Sequence, residues 1–567
     1  MANEENFKTS SLIVATSYLQ TVLAVDDQLG FGQINNFPDD EIPSDDMDSS
    51  ASDPGDGFGN QDATDNTPPK VEFSHYLDYQ MLANSFSEMG LICSGLKPDF
   101  SDDYDKCIYN IYKTAKNADL AILDWEMEKQ KDGSAARAVI NELAKSDCKE
   151  GGRLRLVVIY TGVPEVHFNK DIVDVLANNL KDSIAQFDDF SINVKLNEID
   201  LVKNGNSCGW RVVVLSKNSI EPDKLPERVV NEFVELTSGM LSNSALTCVA
   251  EIRDKTHNLL FKYNKKLDFA FISHVLGVMS LPESRPNTHN VAFDYTVDLI
   301  SEEIRAILQT SEKLKDSISE RNLTEWPKHI NSGNDDKFKI NFGNDNKELD
   351  NDELSELLAL NSHHNYDQTL TDLGITPSKF KKGAISLRLG EEQDNFMMNL
   401  SSLEQTRRNV KLYNSQLPVS LKQGTVVECG NDLYVCVQPL CDSLRLKVET
   451  DFIFIKSTYE DGSKKFNSVI ESDNGFLKML FVPNFIVKSF SFYPDKGRGE
   501  VLSEFIENNH FFTSSAYHCH EGVPEVMKFK WLGELKSSVS QSLSNSVASQ
   551  LLRVGLDTNE WLRLHSR

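Results

Sequence analysis

Basic residues are scarce in this chain beside acidic ones: 58 Lys and Arg stand against 86 Asp and Glu, a formal net charge of -28 over 567 residues. No basic helix or basic tract stands out. Binding to duplex nucleic acid depends on Lys and Arg displacing phosphate counterions, so this balance speaks against a DNA-binding output. Long apolar runs are also missing. No stretch reaches the ~20 continuous apolar residues of a membrane span, which speaks against a membrane protein. The run Leu12–Val25 has no basic segment before it and ends in Asp26-Asp27. It therefore reads as a buried strand preceded by a short segment and not as a secretory signal. Paired cysteine spacing is the third absence: nine cysteines are scattered along the chain, as expected of reduced thiols in a cytoplasmic protein.

What is present is enough apolar residue, 40%, for several cores, and ~150 residues per domain predicts three or four units. Chemistry concentrates at the ends of predicted strands. Asp26 and Asp27 follow Thr21–Val25, Asp124 follows Leu120–Leu123, Thr161 follows Leu156–Tyr160 and Lys217 follows Arg211–Leu215, with Asp132-Gly133 just beyond the second acidic site. In a parallel α/β sheet the carboxyl ends of the strands face one crevice, where these side chains converge. Phosphoryl transfer asks for positioning and charge neutralisation, because charge spreads over the equatorial oxygens of the moving group. Three carboxylates suit Mg²⁺, which keeps several waters beside one or two protein carboxylates. Asp124 is placed to be the nucleophile. Thr161 can donate its hydroxyl to one phosphoryl oxygen and Lys217 can set a point charge on another.

The strings VLAVDDQ, LAILDWEMEKQKDG, LVVIYTG and RVVVLSK together resemble the receiver domain of bacterial response regulators, in the family's order and on its strand ends. The resemblance implies a flavodoxin-like, doubly wound parallel sheet of five strands that takes a phosphoryl group from a histidine kinase with Mg²⁺. It makes Asp124 the phosphoacceptor, Thr161 the switch hydroxyl and Lys217 the conserved-type lysine. Asp26, Asp27, Asp124 and the backbone carbonyl of Glu126 become the metal ligands. The chain departs from the pattern at Val214, where many receivers carry an aromatic ring, and at Asn218, where they often carry proline. The side chain of Glu126 sets a carboxylate beside the approach to Asp124, and Thr161 and Lys217 are unusually far apart. The extra sequence, Asp182–Trp210, is expected as a lengthened helix and a surface excursion.

On this basis residues 1–242 form the receiver, interrupted at 31–70 by an acidic insertion too poor in apolar residues to fold alone. Helices are predicted at Ser74–Met89, Tyr104–Lys116, Ser134–Lys145, Ile172–Lys181 and Pro226–Leu241. Residues 243–413 read as a helical middle domain with a polar linker at 331–352. Residues 414–567 read as a small antiparallel β domain closed by a helix, Met527–Leu552, and a tail in which Arg553, Trp561, Leu562 and Leu564 dock. His274 and the pair His363-His364 have no ligand-like neighbours in sequence. Two clusters hold other chemistry. Cys436 and Cys441 could supply a nucleophile if a base such as His510 or His518 stood near, but two ordinary buried thiols are the simpler reading. His518 and His520 could share an ion, although contiguous Tyr517–Glu521 lacks the spacing of structural zinc sites.

Three outputs follow. The layout resembles large bacterial receiver proteins with an uncharacterised C-terminal region, among them the non-effector regulator of Detocs-type phage-defence two-component systems. That resemblance implies a phosphate sink that competes with a second response regulator for one kinase in antiviral defence. The alternatives are a phosphorylation-controlled enzyme built on Cys441 or His518, and an adaptor whose C-terminal β domain binds a protein.

Overall fold

The computed structural model describes residues 6–30 and 76–551 apart from short gaps of one to six residues. The acidic insertion at 31–70, His363-His364, His520 and the tail at 553–564 lie outside the described residues. The chain forms two compact units. The first comprises Met1–Arg253, Ser311–Asp335 and Asp350–Ile375, and the second the remainder.

In the first unit, helix α1 (Phe7–Tyr18) leads into strand β1 (Thr21–Val25). The run Leu12–Val25 is thus the end of a helix followed by a strand. Asn6 starts that helix by accepting a hydrogen bond from the Thr9 amide, a standard N-cap. A short parallel bridge joins β2 (Leu29–Gly30) to β3 (Leu77–Asp78). There follow α2 (Tyr79–Glu88), β4 (Ile92–Leu96), α3 (Tyr104–Asn117), β5 (Leu120–Leu123), α4 (Ser134–Lys149), β6 (Arg155–Thr161) and α5 (Asp174–Ile184). A hairpin of β7 (Phe190–Lys195) and β8 (Glu198–Lys203) precedes β9 (Asn206–Ser216) and α6 (Leu225–Thr237). The strand order is β4-β1-β5-β6-β9-β8-β7. The first five strands are parallel, and both faces are covered, which is why β5 and β6 are apolar almost throughout. Leu23, Ala121, Leu123, Val157 and Ile159 point to the face covered by α3, α4 and α5. Val22, Ala24, Ile122, Val158 and Tyr160 point to the face covered by α1, α2 and α6.

The sheet therefore has seven strands and not five. The surface excursion expected around Asp182–Trp210 is instead the antiparallel pair β7–β8 laid against β9. Charge hid it: Asp200 on β8 stands opposite Arg211 on β9 and accepts hydrogen bonds from Arg211 Nε at 2.7 Å and Lys195 Nζ at 2.9 Å. Behind this charged face, Ile199, Leu201 and Trp210 are buried. The helix α6 does not run on unbroken. It stops at Thr237, and α7 (Met240–Lys262) starts after Ser238-Gly239. Arg253 on α7 donates to the Tyr18 carbonyl at 2.8 Å and to Asp119 at 3.0 Å, while its guanidinium covers the Tyr18 ring at 4.7 Å.

The second unit holds an antiparallel sheet of eight strands. One face packs Phe452, Phe454, Phe490, Phe492, Phe512, Phe529 and Trp531 together, and the other is apolar around Val426, Val435 and Ile455. The predicted helix Met527–Leu552 is a strand, Lys528–Leu535, followed by a helix, Ser537–Leu551. Phe529 and Trp531 alternate with lysines, a period of two that places them in the aromatic core. Val487–Phe492 is the strand at one end of this sheet. Residues 243–413 are divided between the two units, and the polar linker 331–352 contains a β-hairpin, Phe338–Phe342 with Asp345–Leu349. Its buried residues Phe338, Ile340 and Phe342 alternate with polar ones, so the strand signal was diluted by Asn and Lys. No helix among the described residues is long and apolar enough to cross a membrane.

At the amino ends of the strands, Asp147 of α4 accepts from Arg155 and from Trp210 Nε1 at 3.0 Å, and Arg155 also donates to the Ala115 carbonyl. Asp147 and Arg155 are almost wholly buried. Asp147→Ala strands the guanidinium without its counter-charge, and the expected loss is about 3–5 kcal/mol, read as a lower urea midpoint by circular dichroism.

Candidate functional site

Backbone hydrogen bonds of the parallel sheet carry the chemistry to one edge. The Asp26 amide donates to the Leu96 carbonyl at 3.2 Å, and the Asp124 amide to the Val25 carbonyl at 2.9 Å. The Lys217 amide donates to the Thr161 carbonyl at 2.8 Å. These bonds lock the residues that follow β1, β5 and β9 to their neighbouring strands. The side chains then meet. Lys217 Nζ lies 2.6 Å from Asp26 Oδ2 and 2.8 Å from Asp124 Oδ2. Asp26, Asp27 and Asp124 each bring one carboxylate oxygen within 4.8 Å of the others. Asp26, Asp124 and Thr161 are buried, and Asp27 is half-buried. The five residues drawn from four distant segments thus sit on the ends of adjacent strands.

The site is electrostatically unbalanced. Burial pushes the Asp26 carboxyl above the usual carboxylate range; Lys217 pulls it back, and the charge of Asp124 pushes it up again. Burial also draws the Lys217 ammonium down, but Asp124 and Asp26 outweigh it and hold the lysine above its usual value. Three carboxylates against one ammonium leave two negative charges, which a divalent cation would neutralise. The donor set, all hard oxygen, fits Mg²⁺. Gln28 and Glu126 brace the acids, donating their amides to Asp26 Oδ1 at 2.7 Å and to Asp124 Oδ1 at 3.3 Å. The Glu126 side chain lies outside the carboxylate cluster.

The loop after Asp124 is held by contacts that no sequence motif announced. Glu128, buried, accepts from Ser134 Oγ at 2.8 Å and from the Ala135 amide at 3.1 Å, so a carboxylate sits at the N-terminus of α4 where the helix dipole favours it. Gly133 has φ of +73°, and a Cβ there would lie 2.1 Å from the Trp125 ring, so both backbone and space require glycine. Val214 is buried in the core. The ring near the lysine comes instead from Tyr160, whose centroid lies 5.9 Å from Lys217 Nζ; its hydroxyl donates to the Ile220 carbonyl.

The other candidates are not assembled in this way. Cys436 is completely buried, and burial pushes its thiol up to about 12, the wrong direction for a nucleophile. Cys441 is exposed. His510 is buried and pairs its Nδ1 with Ser503 Oγ at 2.9 Å. The backbone of Tyr517–His518 pairs with Pro524–Glu525, while Cys519, His520 and Glu521 lie outside the described residues.

A carboxylate with a raised folded pKa contributes stability that is complete below its unfolded value and is lost as pH rises through the folded one. Asp26→Asn is therefore expected to melt a few degrees higher than wild type at pH 7 without divalent ions, with the gap closing on acidification. Millimolar Mg²⁺ is expected to raise the melting temperature of wild type and not of the variant, measured by differential scanning fluorimetry.

Residues 18–208 match the family model described as a response receiver domain. No curated protein and no solved structure matches the chain. The matched span contains Asp26, Asp27, Asp124 and Thr161 and stops short of Lys217, which the fold itself brings to the acids. Parallel strand order, acidic crevice and family match agree: the N-terminal part of this chain is a response regulator receiver domain.

Proposed function

We propose that the chain is a two-component response regulator that accepts a phosphoryl group from a histidine kinase onto Asp124. The observation that carries this reading is Lys217 bridging Asp26 and Asp124 inside a cluster of three carboxylates. Asp124 supplies the attacking carboxylate oxygen; a P–O bond forms as the P–N bond of the phosphohistidine donor breaks. Lys217 is already paired to that carboxylate and can follow the charge as it moves onto the phosphoryl oxygens. Thr161, at the end of β6, can donate its hydroxyl to another oxygen. Asp26, Asp27, Asp124 and the Glu126 carbonyl would hold Mg²⁺, which when bound neutralises charge on the donor and the transferred group.

A route outward also exists. Arg253 of α7 holds Asp119, the residue just before β5, whose other end carries Asp124. A change of charge at one end of β5 can thereby bias a helix docked at the other. The finer reading is of a phosphate sink that competes with another response regulator for one kinase, in bacterial antiviral defence. It is supported by the chain's layout and needs only a competent Asp124.

The test is phosphotransfer in Mg²⁺ from phosphorylated histidine kinases and from a small acyl phosphate donor. Wild type should be labelled and Asp124→Asn should not, while Lys217→Ala should slow labelling on the order of 100-fold. Equal labelling of wild type and Asp124→Asn would refute the assignment. Cys441→Ala is expected to leave the biological activity intact, whereas its loss would favour the enzyme alternative.

A further inference from the structure

Acidic residues outnumber basic ones over the whole chain, yet one end of the second unit's antiparallel sheet reverses the balance. Strand Thr450–Lys456 begins where its antiparallel neighbour Val487–Phe492 ends, with Thr450 opposite Phe492. The loop entering the first strand therefore lies beside the loop leaving the second. A cavity of about 740 Å³ is lined from both loops by Arg445, Lys447, Lys496 and Arg498, together with Tyr493 and Glu449. Four cations thus share the cavity with one carboxylate, and that carboxylate lies beside the Tyr493 hydroxyl. None of the four cations makes an ion pair with a described residue.

The two loops are fixed backbone against backbone. The Leu446 amide donates to the Gly499 carbonyl at 2.8 Å, and a Cβ on Gly499 would lie 3.2 Å from Arg445 Cα. Arg445 itself has φ of +64°, a left-handed conformation that suits glycine or asparagine, and such strain collects at ligand clamps. The Asp495 carboxylate is taken up within its own loop, where it accepts from the Gly497 and Arg498 amides at 3.0 and 2.9 Å. Guanidinium and ammonium groups gathered in this way fit phosphate oxygens. Tyr493, 67% exposed, offers a ring on which a base can stack. We propose that this cleft binds a free nucleoside polyphosphate, its phosphates on the four cations and its base against Tyr493. Size and charge favour a nucleotide over a nucleic acid strand. The cavity falls within the ~300–1,000 Å³ of small-ligand sites, and its positive charge is local, set in a chain of net charge -28 that repels a long polyanion.

The experiment is isothermal titration calorimetry of the full chain with ATP, inorganic triphosphate and a short single-stranded RNA. EDTA is present throughout, so that no metal-bridged phosphate enters the carboxylate cluster of the receiver. Wild type is expected to bind ATP more tightly than triphosphate. Lys496→Glu and Arg498→Glu should each weaken ATP at least ~10-fold, and Arg498→Lys, which keeps the charge, should recover most of the affinity. Tyr493→Ala should weaken ATP about tenfold and leave triphosphate unchanged. Lys106→Glu, at an exposed lysine of α3, should bind as wild type does. All the substituted side chains are exposed, so the far-UV melting curves should coincide. Absence of ATP binding at millimolar concentration overturns the proposal, as does an affinity that survives both glutamate substitutions. Triphosphate bound as tightly as ATP removes the base from the site and overturns the nucleotide assignment. RNA bound more tightly than ATP overturns it too and gives the cleft to a nucleic acid strand.

Discussion

Everything in the receiver half turns on one buried ion cluster, in which a lysine bridges two of three crowded carboxylates. Charges of this kind are expensive to remove from water and are tolerated only when paired in good geometry. Here the pairing is possible because β1, β5 and β9 are parallel and end at the same edge. Interstrand bonds from the Asp26, Asp124 and Lys217 amides set the heights of the three residues. The lysine balances part of the charge, and the remaining negative excess is what a divalent cation would neutralise. The same imbalance makes the site a sink of stability, a common condition of functional sites.

Around that cluster, ion pairs tie neighbouring elements of the fold together. The β7–β8 hairpin extends the sheet beyond β9 and is linked to it by the Lys195–Asp200 and Arg211–Asp200 ion pairs. Asp147 ties α4 to β6 and β9 at the amino ends of the strands. Arg253 ties α7 to the base of the sheet. The second unit is built on an antiparallel sheet with one aromatic-filled face.

The receiver site was legible from sequence because its signals are local and strong. Each residue follows a short β-branched or aliphatic run, and a parallel sheet leaves no freedom about which end of that run faces the crevice. Less legible was anything set by pairing at a distance. Strands β7 and β8 read as a polar excursion because Lys195, Asp200 and Arg211 neutralise one another only across the sheet. Phe338–Phe342 read as a linker because one strand face is Lys and Asn. Lys528–Leu535 read as the beginning of a helix because the helical run after it masked its alternation. The roles of Glu128 and Gly133 depend on the N-terminus of α4 and on the position of Trp125, neither of which a linear string displays. The acidic insertion and the C-terminal tail remain expectations of the sequence alone.

The central claim, that the bridged carboxylates form a phosphoacceptor pocket, is tested most directly by locating the adduct. Wild-type chain would be incubated with an acyl phosphate donor and Mg²⁺, trapped by borohydride reduction, digested and mapped by mass spectrometry. The account predicts a single aspartyl phosphate, at Asp124, recovered as homoserine after reduction and lost when Mg²⁺ is chelated. Modification at another residue, or none under conditions where the protein is folded and Mg²⁺ raises its melting temperature, would contradict it.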